Sequence, residues 1–562
     1  MMHILPYFIA ILFMTLIPSI WREHYRKTHF YYYQIIKLFV GCLYIFFVTY
    51  FKLIDLTYSG LFVTFVPLIL VSFLIDIGIF SRKRTKPITY LTGFIVIFLL
   101  AYTGFRFIYP LTLAHPKYNM ANAQVTNEKE EPVDIQHIPV VPKKYARYKS
   151  EKLLGSVSNY SYYELGDSSI QKIDKKLYWV TPIEFKGFFR WMKAGTVPGY
   201  IKMNAEDENA EPQFIKEKMD IVPSAYFNHH LDRVVRAKYP HLILYGDSFE
   251  PDDNGKSYYV VSYGHYTKFR QIRSVDGVIV VDPKNGKMKR YSMSNVPSFI
   301  DQVIPDSIAE ERNDWFGKYK HGFFNSLIGK KDVHEPTKWK GQDEVTAVFN
   351  RKGQMQWFTD HTINNTNSGS MVGYTLMDAR SGQLTYYTKA NGIINGGAAI
   401  NVVNKTFKRE GYKAVGPTLY NIYGQYSWVV PVLDDNGVFR NLAVVNAENE
   451  KMMGYSDNKR DTFNNYKNKL SLNMEDNAVP SDMANTKTLE GKVIRVYKAF
   501  ENNRTITQFM IKGQTQIFTV TSTKFPYSVF LEPGESVRIQ YVDNQQDTAT
   551  VMQFANLSQK NE

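Results

Sequence analysis

The chain has 562 residues, of which 44% are hydrophobic and 21% are charged, and its formal net charge is +14. A chain of this length is too long to fold around a single hydrophobic core, so we expect several domains on the order of 100 residues each. The only cysteine, Cys42, lies in an apolar run, which excludes disulfide bonds and thiolate metal sites from the rest of the chain. The first 112 residues hold ten Lys and Arg against three Asp and Glu, and the remainder is too mildly basic to require a polyanionic partner.

Four apolar stretches occupy residues 1–112, at 4–20, 35–54, 58–80 and 88–109. Each is close to the roughly 20 residues that cross a hydrocarbon core of ~30 Å, so we predict four transmembrane helices. The first stretch lacks the basic flank and the small-residue cleavage site of a signal peptide, and we interpret it as a retained helix.

Basic residues mark the loops that are expected to stay in the cytoplasm. Arg22, Arg26 and Lys27 lie between the first two stretches, and residues 82–86 contain four more cations. The positive-inside rule then predicts a multi-pass cell-membrane protein with both termini, and the large soluble region, outside the cytoplasm. Asp55 and Asp76 lie near the ends of apolar stretches, where an interfacial carboxylate is favoured over a proton or ion pathway.

Residues 113–144 contain four prolines and a charged run at 128–131, a composition typical of a linker. A repeated pattern follows. Four aromatic residues begin hydrophobic strands, and each is followed, about twenty residues later, by an apolar strand that ends in a polar turn residue. The aromatic residues are Trp179, Tyr259, Trp357 and Trp428, and the turn residues are Asn204, Asp282, Asp378 and Asn446.

The turn residues predict hairpins. Asp or Asn caps the turn with its side chain, the following Pro or Ala accepts φ near −65°, and Gly286 and Gly382 take the left-handed position. Glu208 and Glu450 replace glycine in the first and fourth copies, so those hairpins are expected to be looser or of another type.

Helix-forming stretches precede the strands at 145–154, 225–238, 308–328 and 398–409. We therefore predict four α+β repeats, at residues 145–220, 221–300, 301–397 and 398–472. The eight aromatic and turn residues above are their defining structural positions.

The hairpin from Val281 to Lys287, with the sequence Val-Asp-Pro-Lys-Asn-Gly-Lys, resembles the signature of the PepSY domain, and the turn from Asp378 to Gln383 is similar to it. The resemblance covers residues 145–470. It implies a helix-and-sheet module of bacterial envelope proteins with a non-catalytic binding or inhibitory role, since PepSY domains are associated with restraining peptidases and with envelope regulation.

A second polar linker is predicted at 473–487, followed by a β domain at 488–562. Its five alternating strands, at 491–497, 505–511, 516–521, 534–541 and 548–554, predict an OB-like or SH3-like barrel. Five aromatic residues of this barrel are candidates for stacking on bases or sugars, although the alternating pattern favours core positions for many of them. They are Phe509, Phe518, Tyr527, Phe530 and Tyr541.

No catalytic motif occurs in the chain, so we predict no enzyme activity and no catalytic, cofactor-binding or metal-binding residues. His229, His230 and Asp232 are the best metal candidates, but a polar helix face explains them better. His265, His321, His334 and His361 are scattered along the sequence. The glycine-rich segment 392–399 is interpreted as a closely packed strand-to-helix turn rather than as an anion site.

The resulting expectation is a non-enzymatic membrane protein whose modules bind another envelope protein, or a second copy of the chain, as a scaffold or regulator. An alternative is a subunit of an apparatus that moves DNA or protein across the envelope, although nucleic acid is not an expected partner. A third is a hydrolase whose site is assembled from distant residues. The use of Lys, Asn and Tyr, with cysteine absent after Cys42, suits a Gram-positive bacterium or its phage.

Overall fold

The computed structural model describes residues 28–80, 86–338, 345–363, 368–473, 486–501, 504–542 and 548–558. Three apolar helices begin the described chain: α1 (Thr28–Tyr50), α2 (Tyr58–Phe80) and α3 (Lys86–Thr112). All three are long and apolar enough to cross a membrane, which indicates a membrane protein. The stretch 4–20, predicted as the first of four spans, lies outside the described residues.

Residues 113–144 contain regular structure where the composition predicts a linker. Helix α4 (Ala114–Ala121) follows α3 directly, strand β1 (Gln124–Thr126) joins a sheet, and Ile135–His137 forms a 3₁₀ turn. Ala121, Ile138 and Val140 are buried. Apolar residues recur between the prolines of this segment, and they pack into the hydrophobic cores of the sheets. This packing depends on surfaces that are far away in the sequence, so composition alone did not predict it.

Four sheets follow in chain order, and each has a helix before it. The helices are α5 (Lys143–Leu154), α7 (Leu231–Lys238), α8 (Asp306–Tyr319) and α10 (Gly396–Thr406). Two short helices lie between them, α6 (Phe188–Ala194), which connects two strands of the first sheet, and α9 (Gly322–Phe324), which continues into a π-helical turn at Asn325–Gly329.

The first two sheets are antiparallel. The first has the order β2-β4-β5-β6 with β3 paired to β4, and the second has the order β10-β9-β8-β7. Their strands are β2 (Tyr163–Leu165), β3 (Ser169–Ile173), β4 (Lys176–Phe185), β5 (Val197–Asn204), β6 (Gln213–Met219), β7 (Ile243–Pro251), β8 (Ser257–Thr267), β9 (Ile272–Val281) and β10 (Met288–Ser292).

The third sheet has the order β1-β15-β14-β13-β11 with β12 paired to β13, and the fourth has the order β16-β18-β19-β20 with β17 paired to β18. All pairs are antiparallel except β1 with β15. Their strands are β11 (His334–Pro336), β12 (Thr346–Phe349), β13 (Met355–Ile363), β14 (Gly373–Asp378), β15 (Leu384–Tyr387), β16 (Lys413–Ala414), β17 (Thr418–Ile422), β18 (Gln425–Leu433), β19 (Phe439–Asn446) and β20 (Met453–Ser456).

The four sheets share hydrophobic cores. One cluster contains Val180 of the first sheet and Tyr259 of the second, and another contains Phe358 of the third sheet and Trp428 of the fourth. A third cluster combines residues from the first three sheets. Because close packing of this kind transmits displacement from one sheet to the next, we expect the four sheets to behave as one rigid body.

Helix α11 (Lys459–Asn473) packs on β19 and β20 and precedes the C-terminal domain. That domain is a closed five-stranded barrel, as the alternating sequence predicts, with the order β21-β22-β23-β25-β24. Its strands are β21 (Thr486–Glu501), β22 (Arg504–Ile511), β23 (Ile517–Thr521), β24 (Ser536–Val542) and β25 (Thr548–Asn556). The long strand β21 closes the barrel because its first half pairs with β24 and its second half with β22. Strands β23 and β25 are parallel.

Candidate functional site

One backbone contact occurs at the turn residues of all four sheets, and we name it the turn–helix clip. The carbonyl of the residue after each capping Asn or Asp accepts N–H groups from the segment that leads into the corresponding helix. The acceptors and donors are Ala205 with Val140 and Val141, Pro283 with Asp220 and Ile221, Ala379 with Val303 and Ile304, and Ala447 with Ile394, at 2.8–3.1 Å.

The capping side chains act as the sequence predicts. The Oδ1 atoms of Asn204, Asp282, Asp378 and Asn446 accept the N–H two residues further on, at 2.8, 2.9, 3.1 and 3.0 Å. Gly286 and Gly382 have φ of 68° and 76°, the left-handed region where a side chain is disfavoured. These four polar residues therefore shape hairpins, and their side chains are already engaged.

Three of the four aromatic residues bind the same segments that lead into the helices. The indole N–H groups of Trp179, Trp357 and Trp428 donate to the carbonyls of Val141, Ile304 and Ile394, at 2.7, 2.9 and 2.9 Å. Each acceptor lies two residues before its helix. Tyr259 differs, because its hydroxyl donates to Oε1 of Glu184 in the first sheet at 3.0 Å.

Buried carboxyl groups connect neighbouring sheets, and no pattern in the sequence predicts them. Glu184 accepts the N–H of Ser224 at 3.1 Å, and burial raises the pKa of Glu184. Glu250 is fully buried and accepts the N–H of Asp301 at 2.7 Å. Burial, with the nearby charge of Asp301, raises the pKa of Glu250 to about 8, and the carboxyl serves as a structural acceptor of hydrogen bonds from Ser248 and Asp301.

The three sequence-predicted metal candidates lie at the start of α7. His229 ends a 3₁₀ turn and His230 precedes the helix, so the helical face expected for them begins only at Leu231. Burial lowers the pKa of His230, which keeps its ring neutral. Within the described ranges, no group of three or more His, Cys, Asp or Glu side chains is placed to hold a metal ion.

Two of the scattered histidines, His334 and His361, are brought together by the fold, although nothing in the sequence indicates their contact. The pairing of β11 with β13 places Nδ1 of His334 2.9 Å from Nδ1 of His361, which is fully buried. The Nε2–H of His361 donates to Oδ1 of Asn313 in α8 at 3.2 Å. The unprotonated Nδ1 of His361 then accepts the Nδ1–H of His334, which joins the two rings as neutral imidazoles.

This pair makes the stability of the fold sensitive to acid. Burial, and secondarily the charge of Lys320, lowers the pKa of His334 to about 4, against ~6.5 for an unfolded histidine. The unfolded chain therefore binds the extra proton between these values, and stability falls as pH falls from about 6.5 to 4. The variant His334→Phe is expected to remove about 2–3 kcal/mol of that pH-dependent loss, measured as the difference in unfolding free energy between variant and wild type at each pH.

The difference in unfolding free energy between variant and wild type cancels the contribution of the buried carboxyl groups, which changes with pH in the opposite direction. The pKa of Asp360, for example, is raised to about 6 by burial, so its contribution is present at low pH and is lost as pH rises. Tyr386→Phe, which keeps both histidines beside the ring that stacks on His334, is the matched control. An identical pH slope in wild type and His334→Phe would contradict the prediction.

The glycine-rich segment 392–399 forms a packed turn into α10. The N–H of Ala398 donates to Oδ1 of Asn395 at 2.9 Å, and the N–H of Gly396 donates to the buried carboxyl of Asp360 at 3.2 Å. These donors of the helix N-terminus are satisfied by the protein itself, as the packing interpretation predicts.

The barrel aromatics divide into two groups. Phe509, Phe518 and Tyr541 belong to the core, whereas Tyr527 and Phe530 are exposed. Strand β21 adds two exposed rings, Tyr497 and Phe500, that sequence alternation did not single out. A groove of about 310 Å³ is lined by residues of β21, β22, β23 and β25 beside Asn468 of α11, and Tyr497 contributes to its wall.

The connection between α1 and α2 contacts helix α7 and the β8–β9 hairpin of the second sheet. The carboxylate of Asp55 forms a bidentate ion pair with the guanidinium of Arg270, at 2.7 and 3.1 Å, and Asp55 is buried. Burial alone would raise the pKa of Asp55, but hydrogen bonds from Arg270 and Thr57 hold it below its usual value. Arg236 donates to the carbonyl of Leu53 at 3.0 Å, and Arg233 to that of Tyr50 at 3.1 Å.

Asp76 pairs with Lys37 at 2.7 Å and accepts the hydroxyl of Tyr33 at 2.6 Å. Asp55 and Asp76 thus each have a cationic partner within the chain. No protein-family model matches this chain and no curated protein matches it, so any assignment of function depends on the contacts described above.

Proposed function

We propose that this chain is a non-enzymatic scaffold or regulator of the cell envelope, which displays four PepSY-like modules and an OB-like barrel outside the cytoplasm and binds a partner protein there. The four exposed rings of the barrel, Tyr497, Phe500, Tyr527 and Phe530, are the observation that carries this proposal. Tyr and Phe are enriched at the centres of protein interfaces, where large rings bury much area at low entropic cost.

The turn–helix clip supports the modular interpretation. Its acceptor follows the capping Asn or Asp in all four sheets, and its donors precede the helix in all four. Recurrence of the same contact at the same place is what duplication of one small α+β module would produce. Shared cores between the modules support a scaffold role, since they fix the distances between binding surfaces.

The strand order supports an OB-like barrel over an SH3-like one. A closed order of 1-2-3-5-4 with a parallel pair between the third and fifth strands is the OB arrangement, and the groove crosses the face of strands two and three that such folds use for ligands.

Two features support the proposed orientation of the chain, in which the soluble region lies outside the cytoplasm. The basic loops predict that the α1–α2 connection lies outside, and the Asp55–Arg270 ion pair requires that this connection and the soluble region share one side of the membrane. The two inferences agree on an extracytoplasmic soluble region.

Site-specific photocrosslinking in intact cells tests the proposal. A benzoylphenylalanine at Tyr497 or Tyr527 is expected to yield one discrete protein adduct, because both rings are exposed on the barrel. Val125, an equally exposed residue on β1, is the control position and is expected to give none. Two differently tagged copies of the chain distinguish self-association from a separate partner, and the same adducts at all three positions, or none, would count against barrel-directed binding.

The OB-like order also favours a second candidate, a translocation subunit whose barrel contacts nucleic acid. Binding of single-stranded DNA by the purified chain should then weaken steeply with salt, since phosphate contacts release counterions. An affinity that is unchanged between low and physiological salt would dismiss this candidate.

A further inference from the structure

Six exposed apolar residues of the soluble region lie near the ends of the membrane helices, and we name them the apolar collar. They are Phe189, Met192, Phe227, Phe269, Phe324 and Ile328, and their exposed fractions are between 52% and 82%. Soluble surfaces seldom expose so many large apolar side chains together without a binding role.

The first part of the collar adjoins the end of α1. Phe227 lies 6.4 Å from the ring of Tyr50, the last residue of α1, and 6.1 Å from Phe188 at the start of α6. Phe189 and Met192 extend from the same short helix into solvent. This part of the first two modules is therefore held at the level where α1 leaves the bilayer.

The second part is the tip of the β8–β9 hairpin. The ring of Phe269 lies 5.5 Å from Phe105 and 5.6 Å from Tyr109, both in α3. Phe105 precedes the end of α3 by about 10 Å at 1.5 Å per residue, so Phe269 reaches beside the membrane span. Lys268, Phe269 and Arg270 all have left-handed φ, of 50°, 51° and 66°, an uncommon turn that the Asp55–Arg270 ion pair holds in place.

The third part lies beside the end of α3. Helix α9 follows α8, which packs on α4, and Lys117 of α4 lies 5.8 Å over the ring of Tyr319. Helix α4 begins two residues after α3 ends, so Phe324 and Ile328 project from a segment close to the membrane exit.

Cations flank these apolar groups. Lys186, Arg190 and Lys193 surround α6, and Lys330 and Lys331 follow Ile328, while residues 186–195 and 322–331 contain no acidic residue. Aromatic rings with interspersed Lys and Arg are typical of segments that lie in the headgroup region, where rings enter the acyl boundary and cations meet anionic phosphates.

We infer that the apolar collar is a lipid-docking surface that seats the soluble region in the headgroup layer around the exits of α1 and α3. Lipid is the occupant because the collar is continuous with the membrane helices at Tyr50, Phe105 and Tyr109. Three separate contacts around the helix ends resist tilting of the modules, so the collar sets the height and direction in which the barrel is presented.

Spin labels measure this docking directly, because Cys42→Ser gives a cysteine-free chain. In that background, single labels are attached at Phe189→Cys, Phe269→Cys and Phe324→Cys, with Tyr527→Cys as the matched exposed aromatic on the barrel. The full chain is reconstituted in vesicles of phosphatidylcholine with phosphatidylglycerol. Accessibility to oxygen, which concentrates in lipid, is compared with accessibility to a water-soluble nickel chelate.

The oxygen-to-nickel accessibility ratio is expected to be roughly threefold or more higher at the collar positions than at Tyr527→Cys. Nickel accessibility at Phe189→Cys and Phe324→Cys equal to that at the barrel would overturn the inference, and so would exclusion of both reagents, which indicates protein contact instead. Phe189 and Phe324 project mainly into solvent, so labels there do not depend on tolerance of the Phe269 site.

Discussion

Arg270→Ala is expected to detach the α1–α2 connection from the second module. The substitution leaves the carboxylate of Asp55 buried without its bidentate partner, and loss of one member of a buried pair costs about 3–5 kcal/mol. Local opening of the junction should become correspondingly easier. Hydrogen exchange at the amide of Leu56, which donates to the carbonyl of Pro240 at 2.8 Å, is therefore expected to accelerate by about 100-fold or more.

Two controls separate this effect from a general loss of charge. Arg538→Ala removes the cation of an exposed pair with Glu490 in the barrel, where the expected change in stability is below about 1 kcal/mol. The double variant Asp55→Asn with Arg270→Gln removes both charges and should recover much of the protection, because no ion is left unpaired. Equal exchange at Leu56 in wild type and Arg270→Ala would show that the ion pair does not hold the junction.

Trp428→Ala is expected to be the most destabilising single truncation among the four aromatic positions. Trp428 is fully buried in the cluster that joins the third and fourth sheets, and truncation of a buried aromatic residue costs about 3–5 kcal/mol. The carbonyl of Ile394 also loses its indole donor. Urea unfolding of the full chain in detergent, followed by far-ultraviolet circular dichroism, measures the loss without relying on tryptophan fluorescence.

A conservative substitution at Trp428 isolates the contribution of its hydrogen bond to the carbonyl of Ile394. Trp428→Phe keeps most of the apolar volume but leaves the carbonyl of Ile394 without the indole N–H, at a cost of about 1–3 kcal/mol. Trp179→Ala is the comparison, because Trp179 makes the equivalent bond from a half-buried position and should lose less on truncation. A larger loss at Trp179 than at Trp428 would contradict the argument from burial.

The soluble region is attached to the membrane helices by Arg233, Arg236 and Arg270, which bind the α1–α2 connection, and the barrel follows α11 in the chain. The proposed lipid contact of the apolar collar would add a second attachment. A partner bound at the barrel would therefore exert force on the membrane helices through the shared cores of the four sheets. This mechanical continuity suits a regulator that senses or positions a partner at a set distance from the bilayer.

Local residue patterns determine the features of this protein that depend only on neighbouring residues. Hydropathy alone identifies α1, α2 and α3, because a span needs only consecutive apolar residues. Asp282 with Gly286, and Asp378 with Gly382, specify their turns within five residues, and alternation along β21 to β25 specifies a barrel. Phe500 was missed because β21 continues to Glu501, past the predicted strand end at residue 497. Tyr497 was missed because alternation along a strand does not show which of its faces is left uncovered.

Tertiary structure alone decided which distant groups meet. The Asp55–Arg270 pair spans 215 positions and the His334–His361 pair 27, and no periodicity of 2 or 3.6 residues relates such partners. The packing of 113–144 and the shared cores likewise depend on surfaces that exist only once several sheets are assembled. The sequence by itself determined a membrane anchor, capped hairpins and a terminal barrel, because these follow from local chemistry. Only the folded chain determined how the sheets fuse and where they meet the membrane, because side-chain contacts between remote segments set both.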